Sequence, residues 1–107
     1  MLKITTHKID DTIVLDVSGR IDAINSPLLQ EKIDTILENN QGHLLLLRMI
    51  GVNYLSAAGL RVLRLLKEAT GQVRIVEPSK RVIEVMEMTG LDAVYGLYMS
   101  FDEALRE

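Results

Sequence analysis

The segment LLLLRMIGVNYLSAAGLRVLRLL, residues 44–66, constrains the fold more than any other part of the chain. Its first half is an apolar run without polar alternation, the pattern of a strand covered on both faces. After a short turn, Leu60, Leu63, Leu65 and Leu66 recur at helical spacing, from a start near Ala57 or Ala58 to a stop at Thr70-Gly71. A strand that feeds a helix through small residues leaves the helix's first backbone N–H groups accessible. Those donors, with the positive end of the helix dipole, favour an anion or a phosphorylated side chain.

The flanking segments extend the same alternation. Residues 2–9 and 12–17 are β-rich and divided by Asp10-Asp11, which predicts an antiparallel hairpin with Ile13, Leu15 and Val17 on its buried face. Ser18-Gly19-Arg20 breaks that pattern. A helix opens at Asn25-Ser26-Pro27, with Ser26 as its cap, carries Leu28, Leu29, Ile33, Ile36 and Leu37, and ends at Asn39-Asn40-Gln41-Gly42. Beyond the strand at 44–49 and the leucine-rich helix, residues 73–76 read as a strand. Pro78 and Ser79 then open a helix with Val82, Ile83, Val85 and Met86 that stops at Thr89-Gly90. Residues 94–98 read as a last short strand, and Ser100 caps a final turn containing Asp102, Glu103 and Leu105. The expected fold is α/β: a small mixed, mostly parallel β-sheet with an N-terminal antiparallel hairpin, helices packed on the sheet, and one domain over 1–107.

Composition narrows the function classes. Apolar residues make up 48 % of the 107 and charged residues 25 %, enough for a core and inconsistent with disorder. A net charge of −3 provides no basic surface for nucleic acid or anionic lipid. There is no Cys, no apolar run long enough to span a bilayer, and no apolar centre in MLKITTHK to make a signal peptide. These features lead us to expect a soluble, cytoplasmic protein.

Reactive groups are sparse. His7 and His43 are the only imidazoles and read as surface or edge residues, with no neighbours to share a metal and no triad in view. Asp10-Asp11 reads as turn chemistry and Asp102-Glu103 as the complement of a helix N-terminus. Ser18-Gly19-Arg20 is too short for a dinucleotide fingerprint, and there is no Walker-type loop. The expectation is a non-enzyme without metal or cofactor. Arg61, Arg64 and Lys67 lie opposite the leucines of their helix, as a solvated basic face or a docking surface for an acidic partner. Met86 and Met88 read as core filler or semi-exposed apolar contacts, with a partner groove as the other reading. Ser56 is a helix cap, a phosphoacceptor or a partner contact.

GRIDAINSPLLQEKI, GVNYLSAAGLRVL and EPSKRVIEVMEMTGLDAVYGLYMSFDEAL, in that order, resemble the STAS domain as found in bacterial anti-sigma factor antagonists. The middle segment, similar to the family's strand, Ser-Ser-Ala-Gly-Leu-type loop and helix, is the most specific part. The resemblance implies a regulatory module that binds a serine kinase-type anti-sigma factor and frees the sigma factor. In that family the kinase phosphorylates a Ser at the start of the second helix, which breaks the association, and a phosphatase resets it.

Aligned on Gly59 and Leu60, the family's phosphorylated Ser falls on Ala57 and the residue before it on Ser56. A methyl group accepts no phosphoryl group. Phosphate control was therefore lost, moved to Ser56, or removed by replacement of a Ser. Arg48 stands where family members often carry Asp, which implies reversed charge close to the loop, whereas Asp22 matches the family's acidic position in the first loop or simply bonds local backbone. On the resemblance, Asp22, Asn53, Ser56, Ala57, Gly59 and Arg61 are the expected partner-binding residues. The alternative is a non-phosphorylated scaffold or adaptor in a sensory or transport-associated assembly. A small-ligand or lipid carrier is a more distant reading, since nothing in the sequence specifies a cavity.

Overall fold

Five strands lie side by side in chain order in the computed structural model, which describes residues 1–106. β1 (Lys3–Ile9) runs antiparallel to β2 (Thr12–Ile21), and β2 pairs in parallel with β3 (Leu44–Leu55). β4 (Val73–Val76) and the two-residue β5 (Leu97–Tyr98) continue the parallel part. Each parallel step needs a crossover, and helices supply them. These are α1 (Ser26–Asn39) between β2 and β3, α2 (Ala57–Ala69) between β3 and β4, and α3 (Lys80–Thr89) with α4 (Leu91–Tyr95) between β4 and β5. A last helix, α5 (Phe101–Arg106), follows β5.

The two sheet faces are covered unequally. Ile13, Leu15, Val17, Leu45, Leu47, Met49 and Ile75 join side chains of α1 to α4 in the main core. Successive strand residues point to opposite faces, so Val14, Leu46 and Val76 emerge on the other side, where Ala104 and Phe101 of α5 cover them. This explains why residues 44–47 are uniformly apolar. Tyr95 is buried in the main core and donates its phenolic O–H to the Leu63 carbonyl at 2.6 Å. Burial raises its pKa above the ordinary 10.0.

Several boundaries differ from the sequence reading. β2 does not stop at Val17, because register shifts between Asp16 and Ser18 and between Gly19 and Arg20 carry its pairing on to Ile21. β3 likewise passes through Gly51 to Leu55, so the expected turn before the helix is strand. Asn25, not Ser26, is the N-cap residue of α1. Ser26 is buried inside the helix, with its hydroxyl donating to the Asp22 carbonyl. Val94 and Tyr95 belong to α4, so only Leu97 and Tyr98 of the predicted final strand pair with β4. Leu28, Leu65 and Met88 are exposed, whereas Met86 is fully buried.

The length of β2 and β3 positions the site. Their last paired residues are Ile21 and Leu55, so the loop into α1 and the start of α2 emerge together, at the carboxyl ends of the strands.

Candidate functional site

Ser56 is the N-cap residue of α2. Its backbone is extended, its N–H donates to the Ile21 carbonyl at 2.9 Å, and its hydroxyl oxygen accepts the Gly59 N–H at 3.1 Å. The side chain therefore serves one of the free donors at the helix start, as the cap reading expects. Ala57 follows as the first helical residue and is exposed. Gly59 lies beneath this surface: a Cβ there would fall 2.6 Å from Ile21 Cγ2 and 2.8 Å from Leu55 Cδ1. Only glycine lets α2 sit this close to the strand ends.

The neighbouring loop is built by Asp22 and Asn25. Asp22 Oδ1 accepts the backbone N–H groups of Ile24 and Asn25, at 3.0 and 2.9 Å. Asn25 Oδ1 accepts the Asp22 N–H, and its amide donates to the Arg20 carbonyl, both at 2.9 Å. The Asp22 carboxylate thus shapes the loop. That loop also carries Ile24, 91 % exposed, next to α1 with its exposed Leu28. Arg20 lies over the Tyr54 ring at 4.2 Å, an exposed pair across the ends of β2 and β3.

Of the expected partner-binding residues, Asn53, Ala57 and Arg61 are exposed and Asp22 and Ser56 half-buried, all around this corner. Gly59 departs from that expectation. It is buried against Ile21 and Leu55 and supports the surface from below. Beside Ala57 runs a groove of about 380 Å³ lined by Ala57, Leu60, Arg61 and Arg64 of α2 and by Thr89 and Leu91. Lys67 does not extend this basic edge, because its Nζ donates to the Val73 carbonyl at 3.3 Å and lies 5.4 Å from the Tyr95 ring centre.

Arg48 is not an unpaired charge near the loop. It lines the α5 side of the sheet with His7, Val14 and Phe101, and its guanidinium binds Asp16 at 2.9 Å and Glu77 at 2.6 Å. The hydrogen bond to Glu77, opposed by partial burial and reinforced by Asp16, raises its pKa above the ordinary value. The residue thus ties β2, β3 and the end of β4 together and brings two carboxylates to one cation. Sequence reasoning missed this cluster, since its members are separated by 32 and 29 positions. Its only trace was a lone charge within an apolar strand. Ser79, expected with Pro78 to open the helix, is the N-cap residue of α3, and it also donates its hydroxyl to the Val52 carbonyl at 2.6 Å, which fastens α3 to the extended end of β3.

Among the described residues no three His, Asp or Glu side chains are grouped to hold a metal ion. His7 is exposed on β1, and His43 Nε2 lies 3.8 Å from Asp11. No helix among the described residues is long and apolar enough to cross a membrane.

Comparison with known proteins agrees with this architecture. The family model described as STAS domain matches residues 3–104. The anti-sigma-B factor antagonist of Bacillus subtilis is 29 % identical over 86 residues, covering 77 % of each chain. An anti-sigma factor antagonist from Mycobacterium paratuberculosis superposes with a TM-score of 0.88 at 25 % identity, over 99 % of this chain and 92 % of that one. The unphosphorylated form of the antagonist SpoIIAA has the same fold, with a TM-score of 0.74 at 18 % identity over 96 % and 92 % of the two chains.

Proposed function

Because the chain belongs to the STAS domain family, we propose that it is an anti-sigma factor antagonist, acting by reversible binding to a kinase-type anti-sigma factor. The relatives named above are anti-sigma factor antagonists, and the corner at the ends of β2 and β3 is the contact surface. Asp22, Asn53, Ser56, Ala57 and Arg61 lie at or beside it.

One observation carries the reading: the first residue of α2 is an exposed alanine, set at a positive helix end with small neighbours. A partner can approach the backbone closely there, and a negative charge introduced there changes the contact. With a methyl at position 57, that charge is never added. The protein therefore stays in its binding form when its partner holds ATP. Ser56 accepts the Gly59 N–H as the cap of α2, which supports assigning it to the fold, and on this reading it is not the switch.

Titration calorimetry with a purified kinase-type anti-sigma factor tests the contact surface. Wild-type protein binds, and Ala57→Glu weakens binding at least ~10-fold while the circular dichroism spectrum is unchanged. Absence of binding under every nucleotide condition, or equal binding by Ala57→Glu, overturns the proposal.

A further inference from the structure

We propose that the groove between α2 and the α3–α4 corner docks an acidic amphipathic helix of the protein partner. This deepens the reading above, on which it rests, by giving the chemistry of the partner's face.

Ala57, Leu60, Arg61 and Arg64 are spaced three, four and seven apart, so they form one stripe along α2. Thr89 and Leu91 face that stripe from the end of α3 and the start of α4. Leu60 and Leu91 supply an apolar floor, and the two arginines supply a cationic edge.

Those arginines are uncommitted. Both are exposed, and neither side chain has an ion pair or hydrogen bond among the described residues. Three other basic groups contrast with them: Arg48 is held by two carboxylates, Lys67 by a carbonyl, and Arg20 by an aromatic ring. On a chain of net charge −3, these two exposed guanidinium groups give the groove a cationic edge.

The dimensions suit a helix. From Ala57 to Arg64 the stripe rises about 10 Å, two turns of a helix laid alongside. Carboxylates at positions i and i+3 or i+4 of the partner would reach Arg61 and Arg64, with intervening leucines resting on Leu60 and Leu91. The pairs are exposed at the rim, so salt weakens the association.

The probe is a synthetic helical peptide bearing Glu at that spacing along a leucine stripe, titrated into the ¹⁵N-labelled chain. Amide shifts are expected at Ala57, Leu60, Arg61, Arg64, Thr89 and Leu91. They vanish when every Glu of the peptide is replaced by Lys. Arg61→Glu/Arg64→Glu weakens binding at least ~10-fold, whereas Arg61→Lys/Arg64→Lys retains most of it. Shifts confined to other surfaces, or an equal response to the Lys peptide, overturn the proposal. A kinase-type anti-sigma factor that binds wild type and Arg61→Glu/Arg64→Glu equally also overturns it, while leaving the antagonist reading intact. Peptide binding at the groove without binding of any such anti-sigma factor removes the antagonist reading and leaves the groove.

Discussion

Gly59 and Ile21 approach so closely that a methyl carbon on the glycine would lie 2.6 Å from Ile21 Cγ2. The same carbon would meet Leu55 Cδ1 at 2.8 Å, so the clash involves the last residues of both β2 and β3. In an open helix Gly→Ala gains up to ~1 kcal/mol of propensity. Here overpacking opposes it with about 1–3 kcal/mol, since both neighbours are buried core side chains. Gly59→Ala is therefore expected to lower stability by up to about 2 kcal/mol in urea denaturation. A stabilised variant would show that α2 moves away freely and that the corner is not fixed.

Capping by Ser56 makes a separate prediction. Ser56→Ala removes the acceptor of the Gly59 N–H and is expected to cost about 1 kcal/mol. Ser56→Asp keeps an acceptor at the same place and should restore most of the loss. If both variants match wild type in thermal melts, the hydroxyl has no capping role.

Tyr95 sets the alkaline limit. Burial raises its pKa in the folded protein above the ordinary 10.0, which it regains on unfolding. The folded state then holds a proton that the unfolded state releases. The contribution is complete below pH 10 and is lost as pH rises beyond it. Tyr95→Phe, which gives up the bond to the Leu63 carbonyl, should cost about 1 kcal/mol at neutral pH. It should also flatten the fall in stability above pH 10. Identical alkaline slopes in wild type and Tyr95→Phe would contradict this account.

Arg48 neutralises Asp16 and Glu77 at a site roughly a third exposed, so solvent screening limits its worth. Arg48→Met is expected to destabilise by about 1 kcal/mol. Arg48→Asp gathers three carboxylates and should cost more than Arg48→Met. Denaturation curves that rank the two variants in the opposite order would mean that the cluster is not an electrostatic tie.

Local patterns in the sequence located most elements because their causes are local. The caps at Ser56 and Ser79, the leucines on the inner side of α2 and the Asp10-Asp11 turn each sit within a few positions of what they control. The misread boundaries have long-range causes. Residues 50–55 look like a turn because Gly51 and Asn53 interrupt the apolar run, yet pairing with residues 18–21 of β2 holds them extended. Val94 and Tyr95 have strand-like side chains, but Tyr95 is fixed by its bond to Leu63, 32 positions earlier. At the candidate site, the helix start near Ala57 and the Ser56 cap were legible in the sequence, whereas the groove required Thr89 and Leu91 from a distant corner.

The most direct measurement is intact-mass spectrometry, paired with size-exclusion chromatography, of the chain incubated with a kinase-type anti-sigma factor and ATP. Wild type is expected to gain no phosphoryl group and to remain in the complex, whereas Ala57→Ser gains one and dissociates. A phosphoryl group on wild-type Ser56 with loss of the complex, or no complex at all, would contradict the account.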